Sequence, residues 1–158
     1  MIAPLQDARA LAALHATCFD RPWSAHSFAE LLQGAGVHAL GSAEGFIMIR
    51  CVAGEAEILT LAVAPARRRE GLARALVRAG MHLAASQYQV THVFLEVAAD
   101  NHGARALYAG LGFICHGRRK QYYANIDALM MRYALTQYDG TRYKAPAWDD
   151  EKEGGAQI

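Results

Sequence analysis

The stretch from residue 55 to residue 86 constrains the fold of this chain more than any other part of the sequence. It begins with the apolar run EAEILTLAVAP, which predicts a buried strand that ends at Pro65, and it then passes through three consecutive arginines. From Gly71 onward, apolar residues recur at a spacing of three or four, which predicts an amphipathic helix over residues 71–86. These apolar residues are Leu72, Ala75, Leu76, Ala79 and Leu83. A strand, a basic turn and a long helix in this order predict a mixed α/β domain with a crossover through the turn.

The arginine turn, Arg67 to Arg69, places positive charge where the start of a helix is already electropositive. The first amides of a helix have no acceptor within the helix, so a strand that leads through a glycine-containing turn into a helix directs several N–H groups at one point. Proteins hold phosphate groups in this way, and the turn therefore indicates an anion site. A solvated basic turn is the alternative. The phosphate-binding pattern GxxxxGK(S/T) and the dinucleotide-binding pattern GxGxxG are both absent.

The remaining elements are predicted from apolar spacing and turn residues. Two helices come first, within residues 5–19 and 25–33, and the second begins after the cap residue Ser24 and ends before Gly34 and Gly36. Strands are predicted in VHALGS, GFIMIRCVAG and EAEILTLAVAP, as antiparallel neighbours, and later in THVFLEVA, FICHGRRKQYY and ALMMRYAL. A last helix runs through DNHGARALYAGL and ends at Gly112. The predicted order is ααβββαβαββ, with a central, twisted, mixed and mostly antiparallel sheet flanked by helices.

Size and charge narrow the class of protein. The 158 residues predict one domain over residues 1–135, followed by a polar tail, 136–158, that is expected to be disordered, with Trp148 as a candidate tether. Sixteen basic and fifteen acidic residues leave no overall field that would draw the protein to nucleic acid, and no apolar stretch is long enough to span a bilayer. We therefore expect a soluble cytoplasmic protein without direct nucleic-acid or membrane contacts.

The cysteines and histidines indicate neither a disulfide framework nor a metal site. Cys18, Cys51 and Cys115 are odd in number, widely spaced and without a CxxC pair, so we expect small buried side chains, with a catalytic cysteine as the alternative. The seven histidines include no HExxH or other ligand spacing, and no metal is expected.

The basic turn resembles the signature (Q/R)-x-x-G-x-(G/A) of the GNAT superfamily of acyl-CoA-dependent N-acyltransferases. The matching residues are Arg68, Arg69, Glu70, Gly71, Leu72 and Ala73. The resemblance implies the GNAT fold and acetyl-CoA as cosubstrate, with its pyrophosphate held by the turn from Arg68 to Arg74. It also implies that the backbone of the preceding strand, at Leu61, Ala62 and Val63, pairs with the pantetheine arm.

A narrower resemblance extends through roughly residues 5–133, to the RimI family of bacterial ribosomal-protein-alanine N-acetyltransferases. It lies in FLEVAADNHGARALYAGLGF, in PWS at 22–24 and in RRKQYY at 118–123. It implies Glu96 as general base, Tyr108 as general acid and Asn101 as a cofactor contact. Four residues are implied to border the cleft for the acceptor peptide: Pro22, Trp23, Tyr122 and Tyr123. The implied acceptor is a protein N-terminus, that of a small-subunit ribosomal protein.

Two departures from the pattern and several alternatives accompany these assignments. Ala73 stands where glycine is more common, and the segment YYANIDALMM is short, which leaves peptide selectivity open. Alternation places Glu96 on one face with Phe94 and Ala98, and we expect that face to be a core that a carboxylate enters only with a partner or a wet cleft. Glu96 could instead be a structural carboxylate or lie on a solvated face. Tyr108 could be a core aromatic, and Asn101 could serve only as a helix cap.

The function has three alternatives at this level. Transfer of an acetyl group to a protein N-terminal amine is the leading hypothesis, and acetylation of a small amine or of a lysine side chain uses the same cofactor site. An acyl-CoA-binding regulator without catalysis is the third, and the presence of both Glu96 and Tyr108 argues against it. The sequence does not predict the oligomeric state.

Overall fold

A computed structural model of the protein describes residues 1–123 and 125–135, without the side chain of Tyr123. The tail from 136 to 158, including Trp148, lies outside the described residues, so the domain boundary at 135 and the disorder of the tail stay predictions. No helix among the described residues is long and apolar enough to cross a membrane.

The helices and strands follow the predicted order, with one strand added at the start. In chain order they are β1 (Ala3–Leu5), α1 (Ala8–Ala16), α2 (Ala25–Leu32), β2 (Val37–Ser42), β3 (Gly45–Val52), β4 (Glu55–Val63), a short 3-10 turn (Pro65–Arg67), α3 (Leu72–Tyr88), β5 (His92–Ala98), α4 (His102–Leu111), β6 (Ile114–Tyr123) and β7 (Ile126–Ala134). The predicted mixed α/β class is confirmed by this arrangement.

The strand β1 corrects the sequence prediction, which began a helix at residue 5. Ala3, Pro4 and Leu5 pair antiparallel with β2 at the edge of the sheet. Proline is tolerated there because an edge strand can leave its N–H side unpaired. The helix begins only at Ala8 because the carboxylate of Asp7 accepts hydrogen bonds from the amides of residues 9 and 10, at 3.0 and 3.1 Å.

The strands form one seven-stranded sheet in the order β1-β2-β3-β4-β5-β7-β6. Every neighbouring pair is antiparallel except β4 and β5, which are parallel and joined through α3. The sheet is therefore mixed and mostly antiparallel, as predicted. The crossover places the arginine turn after the end of β4, at Val63.

Apolar side chains cover both faces of the sheet. One core cluster includes Leu76, Val77 and Leu83 of α3 and Tyr108 of α4, and the other includes Leu11 of α1 and Phe28 of α2. Of the predicted apolar positions along α3, Leu76, Ala79 and Leu83 are confirmed as buried, and Leu72 is partly buried against the same cluster.

The pairing of β4 with its neighbours breaks near Leu59. Met48 of β3 pairs with Thr60, but the next residue, Ile49, pairs with Ile58, so Leu59 is an extra residue in β4. Because such a bulge bends its strand, β4 departs from β5, and the two are paired only where residues 55–57 meet residues 92–94. Beyond that point, residues 58–63 of β4 and 95–98 of β5 face each other across a gap, and their facing backbone edges are not paired with each other. We call this opening the β4–β5 gap.

Candidate active site

The start of α3 differs from the starts of the other helices. Asp7, Ser24 and Asn101 cap α1, α2 and α4 with side-chain oxygens, whereas α3 begins after Gly71 without any side-chain cap. No group in the described part of the chain accepts a hydrogen bond from the amides of residues 69–74. Several polar donors at the positive end of a 17-residue helix are thus available to an anion.

The backbone of the turn brings these donors together. Arg69 and Gly71 both have left-handed conformations, with φ of 67° and 84°. Left-handed residues in a turn curl the chain so that successive N–H groups line a concave surface, the arrangement found in anion-binding nests. A Cβ atom added to Gly71 would meet no protein atom within 4 Å, so this position is open on its outer side.

The arginines of the turn have different partners. Arg67 forms ion pairs with Glu44 and Glu70, each at 3.3 Å, so the protein itself supplies its counter-charge. The Nε of Arg68 donates to the carbonyl of Val63 at 3.2 Å. Arg69 and Arg74 form no ion pair with any described residue, which leaves two guanidinium groups for a phosphate ligand.

The predicted pantetheine-binding stretch lines the β4–β5 gap. Leu61 and Val63 are partly exposed, while Ala62 is buried. The carbonyl of Val63 already accepts hydrogen bonds from Arg68 and from the Sγ of Cys18, the latter at 3.3 Å. The rest of the unpaired edge beyond residue 57 is the part of β4 that can pair with a ligand in strand fashion.

The face of Glu96 was predicted wrongly. Alternation correctly groups it with Phe94 and Ala98, but the buried side chains of β5 are Val93, Leu95 and Val97, which point to the opposite face. Glu96 is instead partly exposed, with 25% of its side chain accessible, beside the β4–β5 gap. It therefore needs no buried partner, and it lies where a solvent-borne acceptor can reach it.

Tyr108, a residue of α4, lies in the larger core cluster. Its side chain is 6% exposed, and its ring packs edge-on against Phe113 at 5.5 Å between centroids. Burial raises the pKa of Tyr108, so its phenol keeps its proton at any physiological pH. No described group forms a hydrogen bond with its hydroxyl, so the structure leaves this donor unused. The alternative of a core aromatic accounts for the ring but not for a buried hydroxyl without a partner.

The other predicted residues lie before α2, at the start of α4 and on β6. The side chain of Asn101 accepts from the amide of Ala104 at 3.1 Å, which confirms its role as a helix cap. Pro22 is exposed and Trp23 is half-buried at the start of α2, and Tyr122 is 52% exposed at the far end of β6. The side chain of Tyr123 lies outside the described residues.

Two functional candidates were missed in the sequence. Arg119 of β6 forms an ion pair with Glu96, with 3.2 Å between Nε and Oε1. His15 of α1, which is 2% exposed, accepts from the amide of Trp23 and lies 3.1 Å from the hydroxyl of Thr60. Neither contact has a local sequence signal, because each depends on which strands and helices become neighbours.

The described residues contain no group of three or more histidine, cysteine, aspartate or glutamate side chains arranged to hold a metal ion. The three cysteines are free thiols, buried at Cys51, partly buried at Cys18 and exposed at Cys115. Burial raises the pKa of Cys51 to about 11, which makes it unreactive as a nucleophile.

Comparison with known proteins gives one consistent result. The chain is 33% identical over 141 residues to a Bacillus subtilis (strain 168) protein provisionally named ribosomal protein bS18-alanine N-acetyltransferase, with 84% of this chain and 93% of that protein covered. It is 33% identical over 139 residues to the N-alpha-acetyltransferase RimI of Mycobacterium tuberculosis, with 80% of this chain and 85% of that protein covered. The crystal structure of the ribosomal-protein-S18-alanine N-acetyltransferase from Escherichia coli matches with a TM-score of 0.79 and 29% identity, over 91% of this chain and 99% of that one.

Residues 8–113 match the acetyltransferase (GNAT) family. This range includes the start of α3 without a side-chain cap, the β4–β5 gap, and both Glu96 and Tyr108. GNAT acetyltransferases use acetyl-CoA, so the predicted enzyme class and cosubstrate are confirmed, and the chain belongs to the GNAT acetyltransferase family.

Proposed function

We propose that the protein transfers the acetyl group of acetyl-CoA to the N-terminal α-amine of a protein, and that its acceptor is the N-terminal alanine of a small-subunit ribosomal protein. The names of the similar proteins from Bacillus subtilis and Escherichia coli support this acceptor. The structure supports the chemistry through the two sides of the β4–β5 gap, one suited to a phosphate ligand and one to an amine.

The proposed phosphate site uses residues whose polar groups have no other described partner. The amides from Arg69 to Arg74 and the guanidinium groups of Arg69 and Arg74 would hold the pyrophosphate, since they combine hydrogen-bond donors with positive charge. The unpaired edge of β4 around Leu61 and Ala62 would pair with the pantetheine arm, and Asn101 would contact it from the start of α4.

The acceptor side centres on Glu96. An N-terminal amine has a pKa of about 8, so at neutral pH it arrives mostly as an ammonium that cannot act as a nucleophile. Glu96 would take one proton from this ammonium, directly or through a water molecule. Bound acetyl-CoA supplies an acetyl group that its thioester activates for transfer to an amine. Tyr108 would donate its phenolic proton to the departing sulfur, and the second proton of the reacting nitrogen would restore it through solvent.

The position of Glu96 carries the proposal. It is a partly exposed carboxylate on β5, in the segment where that strand has separated from β4. Because β4 and α3, which would bind the cofactor, lie on the other side of the same gap, a base at this point would be next to both substrates. The hairpin of β6 and β7 lies beside Glu96, because β7 pairs with β5. Its surface is larger than a small amine would cover, which favours a peptide as the acceptor.

The test is intact-mass analysis of synthetic peptides incubated with the enzyme and acetyl-CoA. A peptide with N-terminal alanine should gain one acetyl group, and fragmentation should place it on the α-nitrogen. The same peptide with a blocked N-terminus and one internal lysine should gain none. Acetylation of the lysine peptide, or of small amines in preference to both peptides, would replace the proposed acceptor with one of the alternatives.

A further inference from the structure

Glu96 is already engaged with a cation from the neighbouring hairpin. Arg119 pairs with Ala128 of β7, which in turn pairs with Ala98 of β5, so its side chain reaches diagonally across β7 to the carboxylate two residues earlier. The Nε of Arg119 lies 3.2 Å from Oε1 of Glu96. The pair therefore connects the far strand of the hairpin to the edge of the gap.

The two partners are unequally exposed. The side chain of Arg119 is 54% accessible and that of Glu96 is 25% accessible, so the arginine lies on the solvent side of the carboxylate. The guanidinium carbon also lies 5.5 Å from the centre of the ring of Tyr122. Arg119 is thus held between a carboxylate and an aromatic face, and the aromatic face can keep it when the carboxylate is taken by another cation.

The neighbouring arginine has a different role. Arg118 donates to the carboxylate of Asp127 at 2.8 Å, and Asp127 also accepts from the amide of Gln121 at 2.9 Å. These contacts lie within the hairpin and do not involve Glu96. Of the two adjacent arginines of β6, Arg118 therefore stabilises the hairpin, and Arg119 pairs with the proposed base.

An ammonium group and a guanidinium group cannot both approach one carboxylate oxygen without mutual repulsion. An acceptor that approaches Oε1 of Glu96 as an ammonium therefore takes the place of Arg119. The pair is half exposed, and exposed ion pairs are weak, so the exchange lowers acceptor affinity without preventing binding.

We propose that Arg119 is a positioning residue for acceptor binding, a resident cation that occupies Glu96 in the free enzyme and is displaced by the acceptor ammonium. This inference rests on the proposed function, because it takes Glu96 as the group that receives the acceptor. The ion pair with Arg119 keeps Glu96 oriented before the acceptor arrives. Because only a cation competes with Arg119, the positive charge of the acceptor is what releases Glu96 from the pair.

The first test is calorimetric binding of a peptide with N-terminal alanine. Arg119→Gln removes the competing charge and should bind the peptide roughly two- to fivefold more tightly than the wild type, the range expected for a half-exposed pair. Arg119→Lys keeps the charge and should stay closer to the wild type. The control Arg118→Gln, which removes the adjacent charge but leaves the Glu96 contact, should not tighten binding. The N-acetylated peptide has no ammonium, so Arg119→Gln should not tighten its binding either.

A double-mutant cycle separates displacement from any other effect of Arg119. In a Glu96→Gln background the carboxylate is absent, so the further change Arg119→Gln should not improve peptide affinity. Unchanged or weaker binding by Arg119→Gln, or an equal gain with the N-acetylated peptide, would overturn the exchange.

The failure of this inference is distinct from the failure of the proposed function. If Glu96→Gln has lost turnover while Arg119→Gln binds the peptide as the wild type does, only the exchange is wrong. If Glu96→Gln turns over normally, the base assignment fails, and the exchange loses its premise. Circular dichroism of each variant should first show the wild-type fold.

Discussion

The Nε2 atom of His15 lies 3.1 Å from the Oγ1 atom of Thr60, in the buried layer between α1 and β4. The other ring nitrogen accepts a hydrogen bond from the amide of Trp23 at 3.1 Å, so the proton of a neutral ring is on Nε2 and is donated to Thr60. The rings of Phe19 and Trp23 stack on the imidazole at 4.1 and 5.2 Å. His15 thereby connects the segment before α2, which would border the proposed peptide cleft, to the strand proposed to bind the pantetheine arm.

The first prediction concerns stability and pH. Burial lowers the pKa of His15 to about 4, whereas a histidine in the unfolded chain has a pKa of about 6.5. Between pH 6.5 and pH 4, His15 is therefore protonated in the unfolded chain but neutral in the folded protein. The contribution of neutral His15 to the free energy of unfolding is complete above pH 6.5 and falls as the pH drops toward 4. Between pH 7 and pH 5 the free energy of unfolding should decrease by about 2 kcal/mol from this residue.

Urea unfolding of the wild type and of His15→Gln at both pH values measures this effect. The variant should be less stable at pH 7 but should lose less stability than the wild type on going to pH 5. An equal loss in both proteins would show that other groups cause the acid sensitivity.

The second prediction concerns the turn before α3. Gly71→Ala should weaken acetyl-CoA binding at least about tenfold, because a side chain there stands on the open side of amides proposed to hold phosphate. Gly54 in the β3–β4 turn is a matched control, since it also has a left-handed φ, 78° against 84°, and an added Cβ meets no atom at either position. Both substitutions should lower stability by a similar amount, about 1 kcal/mol.

Calorimetric titration with acetyl-CoA separates the two glycines. Only the Gly71 variant should lose affinity, and Gly54→Ala should bind as the wild type does. If a folded Gly71→Ala protein binds acetyl-CoA normally, residues 68–74 are not the phosphate site.

Except for β1, the helices and strands of this fold could be predicted from sequence because each follows from local spacing and caps. The burial of Leu76 and Leu83, the cap at Ser24 and the end of α4 at Gly112 all have local causes. The bulge at Leu59 does not, because an extra residue shows only when β4 is aligned with β3. The prediction that Glu96 lies on the core face of β5 was wrong for a related reason. Alternation identifies which residues share a face, but which face the helices cover is decided by the rest of the sheet.

In the candidate site, too, some residues could be found from the local sequence, whereas other contacts depend on how the strands and helices pack together. The turn at Gly71 and the residues Glu96 and Tyr108 could be found through a family resemblance carried by contiguous residues. The pair of Arg119 with Glu96 requires the register of three strands, since β7 lies between them. His15 and Thr60 are 45 residues apart and meet only after α1 packs on β4. Contacts of this kind are properties of the assembled sheet.

The third prediction concerns Tyr108. Tyr108→Phe removes a hydroxyl without a described hydrogen-bond partner and keeps the ring against Phe113, so stability should be unchanged or slightly higher. Turnover should fall by about 10²-fold or more if the phenol is the proton donor, while acetyl-CoA affinity stays near the wild-type value. Steady-state kinetics and thermal unfolding of the same preparation measure both. Normal turnover per folded molecule would make Tyr108 a core residue only.

The last prediction concerns Glu96 and its pH dependence. Glu96→Gln preserves the shape of the side chain, and its amide oxygen can still accept a hydrogen bond from Arg119, so the hairpin should keep its place. At pH 7 the rate should fall by the roughly 10²- to 10⁴-fold typical of a positioned base, with acetyl-CoA binding nearly intact. Above the acceptor's pKa of about 8 the amine increasingly arrives without its extra proton, so the defect should shrink as the pH rises toward 9.5. Rates of acetylation of a peptide with N-terminal alanine, measured across this range, decide the role. A defect equally deep at both ends of the range would show that Glu96 positions the acceptor rather than deprotonating it, and wild-type turnover at pH 7 would leave it a structural carboxylate.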